Sequence, residues 1–448
     1  MIQRRGGICP PFSCLYHTGV LGYHKRIMEL HYGDSSFSIE LPEGSGGSVI
    51  RVTPTVPEAA PEAIIAAALD GCGEQIGRIA PGDNVVIVTS DITRYTGSEI
   101  YLPLLVERLN RAGVADGQIT IVIALGIHRK QTESEHKKIV GPLHGRIRVV
   151  DHDCDDPGKL VLLGITGNGI EVEINRTVAE ADHVILTGTI GFHYFAGFGG
   201  GRKSILPGVA SRRSCMASHF AVLNPGEGAG KNPRAATGVL EGNPVHQAMV
   251  DACAMVEPLF ILNTVLAPDK RLLAAFAGDW QQAHAAGCEY YGKEFSFAIG
   301  AKSDLVVVSC GGFPKDINLI QAHKSMEYGS RALRDGGVMV LLAECRDGYG
   351  NATFFNWFRH AALEEFEAEL RKQYEINGQT AYSLRQKALR FRIILVSRLP
   401  HEEVRTMGMI PADDLYEALE MAEEFLPEEY SAYIIPEGGT VLPVLRQS

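Results

Sequence analysis

Short, continuous apolar runs that alternate with helical stretches are the feature that most constrains how this chain can fold. The run Asp83–Ser90 has the length and composition of a strand that is buried on both faces of a parallel sheet. A helix is predicted next, with Ser98 as its N-cap and Gly113 at its end, and Gln118–Leu125 is predicted as the following strand. This alternation indicates an α/β fold with mainly parallel sheets flanked by helices.

The pattern restarts near residue 293, which indicates two domains in a chain of 448 residues. We expect the active site in the cleft between them. Further predicted strands cover 182–190, 259–266, 304–310, 336–345, 392–399 and 432–439, and further predicted helices cover 319–334, 363–373 and 413–426.

The predicted domain boundaries follow from this organisation. Residues 1–27 lack a continuous apolar segment and a cleavage site, so we expect a disordered or misassigned extension before a start at Met28 rather than a signal peptide. Residues 28–292 are predicted to form the N-terminal α/β domain, and 293–430 a doubly wound C-terminal domain. Residues 431–448 are predicted to be a strand and tail that pack back on the N-terminal domain.

Composition excludes several classes of partner. The formal net charge of -11 argues against binding to nucleic acid or to an anionic membrane surface, which needs a basic face. No apolar run approaches the ~18–20 residues of a membrane span. The nine cysteines include no Cys-x-x-Cys pair, which disfavours a disulfide framework or a thiolate zinc site and favours a reducing compartment. We therefore predict a cytoplasmic protein with no nucleic-acid or membrane partner.

Polar residues follow three of the predicted strands at the points where those strands end. DITR (91–94) follows the first strand, and GIHR (126–129) follows the second. The strand 182–190 runs into HYFAGFGGGRKSILPG (193–208). Because the carboxyl ends of parallel strands meet at one edge of a sheet, where ligands bind in open α/β folds, these segments are predicted to converge on one crevice.

The glycine-rich part of the third segment, GFGGGRKS (197–204), allows a phosphate-binding interpretation, because glycines let backbone N–H groups approach an anion. A Walker A loop needs glycine directly before its lysine, and here Arg202 stands between Gly201 and Lys203. Pro207 and Gly208 also fall where that loop would already be inside its helix. A structural glycine turn and a phosphate- or nucleotide-binding enzyme, such as a kinase, are both open at this point.

Histidines distinguish this segment from an ordinary glycine turn. His193 precedes Lys203 by ten residues, His219 follows it by sixteen, and His128 lies at a neighbouring strand end. A lone histidine is more often structural, but placement at convergent strand ends favours a catalytic or ligand role. The other histidines considered are predicted to be surface or structural residues: His136, His144, His152, His246, His284, His360 and His401.

The second domain offers a further polar segment, DINLIQAHK (316–324). Gln321 and Lys324 are three residues apart and so share a face of the helix predicted from Leu319. They lie near the helix N-terminus, which favours anions. An ordinary solvated helix start is the alternative.

Together these segments resemble the nickel-dependent lactate racemase family, and the resemblance covers nearly the whole chain after Met28. The segments that carry it are DITR (91–94), GIHR (126–129), HYFAGFGGGRKSILPG (193–208), Ser218-His219, EGNPVH (241–246) and DINLIQAHK (316–324). The resemblance implies an isomerase, a racemase or epimerase that inverts C2 of a small 2-hydroxy acid such as lactate.

The resemblance also implies a cofactor and a role for each residue. Family members hold a nickel pincer, a pyridinium mononucleotide with two sulfur arms and a nickel–carbon bond, which cofactor-synthesis proteins supply. Lys203 would form its covalent tether and His219 would be the protein ligand to nickel, so that 28–292 would be the cofactor-binding domain. His128 and His193 would be the acid–base pair. The other implied binding residues are Asp91, Thr93, Gly199, Gly200 and Gly201 for the cofactor, and Arg94, Gln321 and Lys324 for the substrate.

These residue types suit the reaction. A 2-hydroxy acid has no electron sink, so its α-hydrogen leaves more easily as hydride while a base removes the hydroxyl proton. Return of the hydride to the opposite face of the planar 2-keto acid inverts the centre. Imidazole titrates near neutrality and can act as base in one direction and acid in the other. An arginine fork can hold the carboxylate, and neutral imidazole is a nickel ligand.

The sequence departs from the family pattern near the implied substrate site. Tyr95 follows DITR where proline is expected, and Ile320 precedes Gln321 where lactate-specific members carry an aromatic residue. These departures keep an epimerase of longer polyhydroxy (sugar) acids as the alternative within the family. Trp357 is a further candidate for the substrate pocket. A cofactor storage protein is a third class, which the paired histidines disfavour, because storage needs no acid–base residues.

Overall fold

The computed structural model describes residues 26–41 and 49–446. It divides into two compact units: Pro54–Glu294, which we call the N-terminal unit, and Met1–Thr53 with Phe295–Ser448, which we call the C-terminal unit. Of the extension expected at 1–27, residues 1–25 lie outside the described residues. The first strand begins at Arg26.

The described residues form nineteen strands and thirteen α-helices, numbered in chain order. The strands are β1 Arg26–Tyr32, β2 Ser35–Leu41, β3 Val85–Ser90, β4 Ile119–Ala124, β5 Arg148–Asp151, β6 Leu160–Ile165, β7 Glu171–Asn175, β8 His183–Ile190, β9 Phe192–His193, β10 Gly197–Phe198, β11 Phe260–Leu266, β12 Leu272–Gly278, β13 Ser296–Ile299, β14 Ser303–Ser309, β15 Leu333–Leu342, β16 Arg392–Val396, β17 Ile410–Ala412, β18 Ala432–Ile435 and β19 Leu442–Leu445. The helices are α1 Pro61–Asp70, α2 Gly73–Ile76, α3 Ser98–Arg111, α4 Glu133–Val140, α5 Arg176–Ala179, α6 Arg212–Phe220, α7 Pro244–Val256, α8 Trp280–Phe295, α9 Leu319–Gly329, α10 Leu363–Lys372, α11 Ile376–Arg390, α12 His401–Thr406 and α13 Leu415–Glu423.

The N-terminal unit is built on a six-stranded sheet in the order β12-β11-β8-β3-β4-β5. Neighbouring strands are parallel, except that β12 joins the edge antiparallel to β11. The predicted bounds of β3, β4, β8 and β11 agree with the structure to within two residues. The prediction of a mainly parallel α/β architecture is confirmed for this unit.

Both faces of this sheet are covered, which explains why its strands are continuous apolar runs. Val85 and Ile87 point to one face and pack in a core that includes α1 and α3. Val86 and Val88 alternate to the other face and pack in a core that includes β7 and α7. All four side chains are at most 3% exposed, and each such burial stabilises the fold by about 1.5–3 kcal/mol.

Helix α3 starts differently from the prediction. Gly97 occupies the N-cap position at φ 75°, a conformation that costs glycine little, and Ser98 is the first helical residue. The prediction of Ser98 as N-cap is therefore wrong. The predicted end is confirmed: the helix stops at Arg111, and Gly113 follows with φ 96°.

The C-terminal unit has a five-stranded sheet in the order β17-β16-β15-β14-β18, and all of its strands are parallel. Helices α9 to α13 connect these strands in chain order, as expected for a doubly wound domain. The predicted helix 319–334 is too long: α9 ends at Gly329, because a tight turn over Ser330–Ala332 leads directly into β15.

The first two strands correct the predicted domain boundary at residue 28. β1 and β2 form an antiparallel hairpin that belongs to the C-terminal unit. Met28, Leu30 and Ile39 pack in one core with Leu305 and Val340 of the five-stranded sheet. The hairpin buries its apolar face against a sheet formed about 270 residues later, which is a long-range pairing that chain order does not reveal.

The last strands correct the prediction that 431–448 pack on the N-terminal domain. β18 pairs in parallel with β14, and β19 pairs in parallel with β13, so both strands pair inside the C-terminal unit. β18 supplies the edge of the five-stranded sheet next to β14. No helix among residues 26–41 and 49–446 is long and apolar enough to cross a membrane.

Candidate active site

The candidate site lies at the carboxyl ends of β3, β4 and β8 in the N-terminal unit. From β3 the chain adds β4 and β5 on one side, whereas β8 and β11 lie on the other side, so the strand order reverses between β3 and β8. Ligands bind at such switch points in open α/β sheets. Asp91 directly follows β3, His128 lies in the loop after β4, and His193 ends the short strand after β8.

Asp91 and His128 form a hydrogen-bonded pair at this edge of the sheet. His128 Nδ1 donates to Asp91 Oδ2 at 2.5 Å; the His128 side chain is 39% exposed and that of Asp91 is 1% exposed. Burial raises the pKa of Asp91, but the hydrogen bonds from His128 and Thr93 and the charges of His128 and Arg94 outweigh it, so the net pKa is lowered. The Asp91 carboxylate therefore holds the proton of His128 on Nδ1 and leaves Nε2 as the basic nitrogen.

The DITR turn supplies the other contacts of Asp91. Thr93 donates to Asp91 Oδ1 from its backbone N at 3.0 Å and from its Oγ1 at 2.6 Å, and Arg94 N donates to the Asp91 carbonyl at 3.1 Å. The Arg94 side chain is exposed, and its charge acts on both Asp91 and His219. Contact of Asp91 and Thr93 with a cofactor stays a prediction.

The glycine-rich loop lies directly against β8. A Cβ on Gly188 would lie 2.6 Å from Gly201 N, so the absence of a side chain there lets the loop approach the strand this closely. Gly200 has φ 105°, which also requires glycine. Lys203 follows within a single 3₁₀ turn, Gly201–Ser204. These contacts fix the backbone on which Lys203 is carried.

The same contacts argue against the Walker A alternative. Gly201 N donates to Asn263 Oδ1 at 2.7 Å, and Gly199 N donates to Gly191 O at 2.7 Å, so these amides are used inside the protein. Lys203 N likewise donates to Gly200 O at 3.0 Å. A phosphate loop instead directs its amides at the anion and leads into a helix.

His219 is a buried, neutral imidazole on α6. Its Nδ1 donates to the Cys215 carbonyl at 2.8 Å, which leaves the lone pair on Nε2. Burial, with the charges of Lys203 and Arg94, lowers the pKa of His219 to about 4, against the raising effect of the hydrogen bond to the Cys215 carbonyl. Lys203, Arg94 and His219 therefore lie close enough to interact electrostatically. Among residues 26–41 and 49–446 no group of three or more His, Cys, Asp or Glu side chains could hold a metal ion.

Phe195 connects His193 to His219. The Phe195 ring is edge-on to the His193 ring at 4.5 Å between centroids and edge-on to the His219 ring at 5.3 Å. Ala196 N donates to His193 Nδ1 at 3.2 Å, so the neutral His193 ring carries its proton on Nε2. His128 and His193 thus hold their Nε2 atoms in opposite states, one with a lone pair and one with a proton.

Gln321 and Lys324 lie in the C-terminal unit. Both side chains are exposed at the start of α9, and Lys324 Nζ donates to Gln321 Oε1 at 2.8 Å, so the predicted shared face is present. Asn318 caps this helix by accepting from Gln321 N at 3.0 Å. Trp357 is 8% exposed and stacks on Phe366, and its contribution to the substrate pocket stays a prediction.

Sequence reasoning missed two residues of the site. In the sequence, Arg202 only interrupts the Walker A pattern, and Phe195 has no distinguishing feature of its own. The sequence signal for both is their place inside the 193–208 segment. Of the histidines predicted to be structural, His136 pairs with Asp151 at 2.7 Å. His246 and His284 lie close to the glycine-rich loop, through contacts to Arg202 and to Gly199 O.

Comparison with known proteins identifies the family. Residues 32–230 match the lactate racemase N-terminal domain, and residues 299–443 match the lactate racemase C-terminal domain. The lactate racemase of Thermoanaerobacterium thermosaccharolyticum is 34% identical over 427 residues, which is 93% of this chain and 98% of that protein. The chain belongs to the lactate racemase family.

Two further similarities agree with this family membership. The lactate racemase of Lactiplantibacillus plantarum is 34% identical over 366 residues, covering 80% of this chain and 84% of that protein. The solved structure of the lactate racemase apoprotein from T. thermosaccharolyticum has a TM-score of 0.83 at 33% identity and covers 94% of this chain and 100% of that chain. A Thermotoga maritima protein with a TM-score of 0.62 at 18% identity, covering 88% of this chain and 100% of that one, shares the fold. Racemases are isomerases, and the resemblance seen in the sequence is confirmed.

Proposed function

We propose that this protein inverts the C2 centre of a small 2-hydroxy acid, lactate or a related acid, with a nickel-pincer mononucleotide tethered to Lys203. The observation that carries the proposal is a set of neighbouring side chains that comprises a buried neutral imidazole, a lysine, an arginine and two further histidines. His219, Lys203 and Arg94 interact electrostatically, His128 is paired with Asp91, and His193 contacts His219 through Phe195.

The chemistry of these residues fits the proposed cofactor. His219 is neutral at any pH well above 4, and its Nε2 lone pair is oriented by the Nδ1 bond to Cys215 O, as expected of a metal ligand. Lys203 lies within electrostatic reach of His219, so a cofactor attached to Lys203 could also meet this ligand. The other nickel ligands would come from the cofactor itself. When bound, the cofactor would supply a reversible hydride acceptor.

Other side chains of the candidate site would bind the substrate and transfer its hydroxyl proton. The exposed Arg94 guanidinium would hold the substrate carboxylate by a bidentate pair, so that the carbon centre can be inverted while the acid stays bound. His128 Nε2, kept basic by Asp91, would take the hydroxyl proton and later return it. His193 would serve the opposite face, where its Nε2–H would donate a hydrogen bond to the substrate oxygen. Gln321 and Lys324 are proposed to bind the substrate as well.

Polyhydroxy acids are the second candidate substrate class, and Ile320 favours them. It lies beside the exposed Gln321 and is smaller than the aromatic residue of lactate-specific members, which would leave room for a longer acid. Tyr95 carries no such argument, because its hydroxyl donates to Glu99 at 2.7 Å and its ring contacts Lys270. We further propose that the protein acts in the cytoplasm and receives its cofactor from cofactor-synthesis proteins.

The test is a panel of enantiopure 2-hydroxy acids offered to protein co-expressed with cofactor-synthesis enzymes. We expect inversion of one or a few acids, which chiral chromatography measures. Lactate is compared with other acids of three to six carbons. A C2-deuterated substrate in ordinary water separates hydride return from proton exchange, because only hydride return keeps the deuterium. No inversion of any acid by protein shown to be loaded would contradict the proposal.

A further inference from the structure

Arg202 is the most deeply buried large polar side chain near the site, and the proposed mechanism gives it no task. It is 1% exposed. Its guanidinium donates to Gly199 O at 2.9 Å, to Phe198 O at 3.2 Å and 3.3 Å, and to Ala196 O at 3.4 Å. Its Nε donates to His246 Nδ1 at 3.0 Å. All of its partners in the described part of the chain are thus neutral acceptors.

Burying a guanidinium without a carboxylate partner costs free energy, so we expect its hydrogen bonds to have a specific function. A buried guanidinium normally pairs with a carboxylate, and among residues 26–41 and 49–446 no carboxylate forms an ion pair with Arg202. The acceptors that it does bind are three carbonyls of one short segment, Ala196–Gly199, directly before the loop that carries Lys203. Its five donors in a rigid fork suit several acceptors at once, which a lysine at this position could not match.

A second side chain supports the same segment. His284 is 4% exposed, and its Nε2 donates to Gly199 O at 2.9 Å, so this carbonyl receives bonds from both Arg202 and His284. His246 accepts from a cation and therefore has to be neutral. Burial and the charge of Arg202 lower the pKa of His246 to about 4, which agrees with that geometry.

We propose that Arg202 is a positioning residue that fixes the Ala196–Gly199 segment and thereby presents Lys203 for attachment of the cofactor. The inference rests on the proposed function. It also explains why arginine stands where a Walker A loop has glycine: the position is filled by an anchor that points into the protein, directly before the lysine.

The test compares Arg202→Lys and Arg202→Met with Arg371→Met as a matched control. Arg371 is also well buried, at 15% side-chain exposure, and pairs with buried Glu367 at 2.6 Å in the other unit. All proteins are full-length and co-expressed with cofactor-synthesis enzymes. Hydrogen exchange of the 196–204 peptides and the fraction of Lys203 that carries the cofactor mass are measured together.

In Arg202→Met we expect the backbone amides of 196–204 to exchange at least about 10-fold faster than in wild type, and most of the Lys203 adduct to be lost. Arg202→Lys is expected to give values between those of wild type and Arg202→Met. Arg371→Met lowers the melting temperature but changes neither readout. The proposal is overturned if Arg202→Met carries as much Lys203 adduct as wild type, or if Arg371→Met loses as much adduct as Arg202→Met. If Arg202→Met does not fold, His284→Gln and Arg202→Lys are judged by the same two readouts. If wild-type protein carries no adduct, the proposed function fails, and unchanged exchange in Arg202→Lys would then also overturn the anchoring role.

Discussion

At the scale of single residues, the pairing of Asp91 with His128 would prepare this imidazole for the proposed role of general base. Asparagine at position 91 keeps the shape but loses the charge, and its amide can donate to Nδ1 and move the ring proton to Nε2. We expect Asp91→Asn to lower kcat by about 10²–10⁴-fold at equal cofactor loading. The measurement is the initial rate of inversion, normalised to the Lys203 adduct.

The chain provides a control for this substitution. Asp83 accepts from His183 Nε2 at 2.8 Å, close to the start of β8, at the opposite end of the sheet from the crevice. Asp83→Asn breaks the same kind of pair, so we expect the normalised rate to stay at the wild-type value. Comparable losses in both variants would show that the Asp91 effect is structural.

His219 gives a second prediction at this scale, which concerns how tightly the protein retains nickel. Removing its imidazole takes away the proposed protein ligand while Lys203 still carries the tether. We expect His219→Ala to lose nickel to a chelator at least about 10-fold faster than wild type. The nickel that stays with the protein is measured by metal analysis. His152→Ala is the control, because His152 is also a buried histidine with a bond to a carbonyl, Ala210 O at 2.9 Å. Equal nickel release from both variants would argue against a ligand role.

The sequence singles out candidate site residues but does not predict how these residues pair. His128 and His193 could be singled out because they follow predicted strands, and Lys203 and His219 because they follow the glycines of the 197–204 segment. The contact between Asp91 and His128 joins residues 37 apart in sequence. The sequence predicts that the ends of β3 and β4 meet at one edge of the sheet, but the bond itself depends on the conformations of the loops that follow these strands.

At the scale of elements, the close approach of the glycine-rich loop to β8 is the feature most open to test. A Cβ at Gly188 would meet backbone atoms of Gly200 and Gly201 at 2.6–2.9 Å, and backbone cannot yield as a flexible side chain can. We expect Gly188→Ala to lower stability by about 1–3 kcal/mol and to reduce the Lys203 adduct. Thermal unfolding and peptide mass spectrometry report the two effects.

Gly117→Ala is the matched control, because nothing lies within 4 Å of a Cβ placed there. It is expected to leave both readouts near the wild-type values. If Gly188→Ala behaves like Gly117→Ala, the loop does not need this close contact.

Strands β3, β4, β8 and β11 of the six-stranded sheet were predicted more accurately than the start of α3 and the end of α9, for a physical reason. A strand covered on both faces is a run of apolar residues, and its limits are visible as changes of composition. The ends of α3 and α9 depend on single backbone conformations: φ 75° at Gly97 and the tight turn Ser330–Ala332. Gly336 and Gly337 inside β15 also hid the beginning of that strand, because glycine weakens a strand pattern.

At the scale of the whole molecule, buried neutral histidines make stability depend on pH. Burial and the charge of Arg202 lower the pKa of His246 to about 4 and that of His284 well below its usual value. The unfolded chain therefore binds more protons than the folded one below about pH 6.5, and this stability is lost as pH falls from about 6.5 toward 4. We expect the melting temperature of the apoprotein to drop by several degrees, about 5 °C, across that range.

His246→Gln separates this contribution from other acid effects. The amide oxygen of glutamine can accept from Arg202 Nε but does not titrate in this range. We expect a weaker dependence of the melting temperature on pH between 6.5 and 4 than in wild type. An unchanged slope would mean that His246 makes no contribution.

The division into units is the part of the whole fold that sequence predicted least well. The second series of strands near residue 293 correctly indicated a second domain, and the C-terminal unit resumes at Phe295. The place of the β1–β2 hairpin could not be predicted, because its partners Leu305 and Val340 come far later in the chain. A hairpin with one apolar face can cover any sheet, and only the folded structure selects which one.

Attachment of the cofactor to Lys203 is tested most directly by mass spectrometry of protein co-expressed with cofactor-synthesis enzymes, with nickel measured in the same sample. We expect a mononucleotide-sized adduct on the peptide that contains Lys203, together with nickel, and the loss of both in Lys203→Ala. Absence of adduct and nickel, while a lactate racemase loaded in parallel carries both, would contradict it.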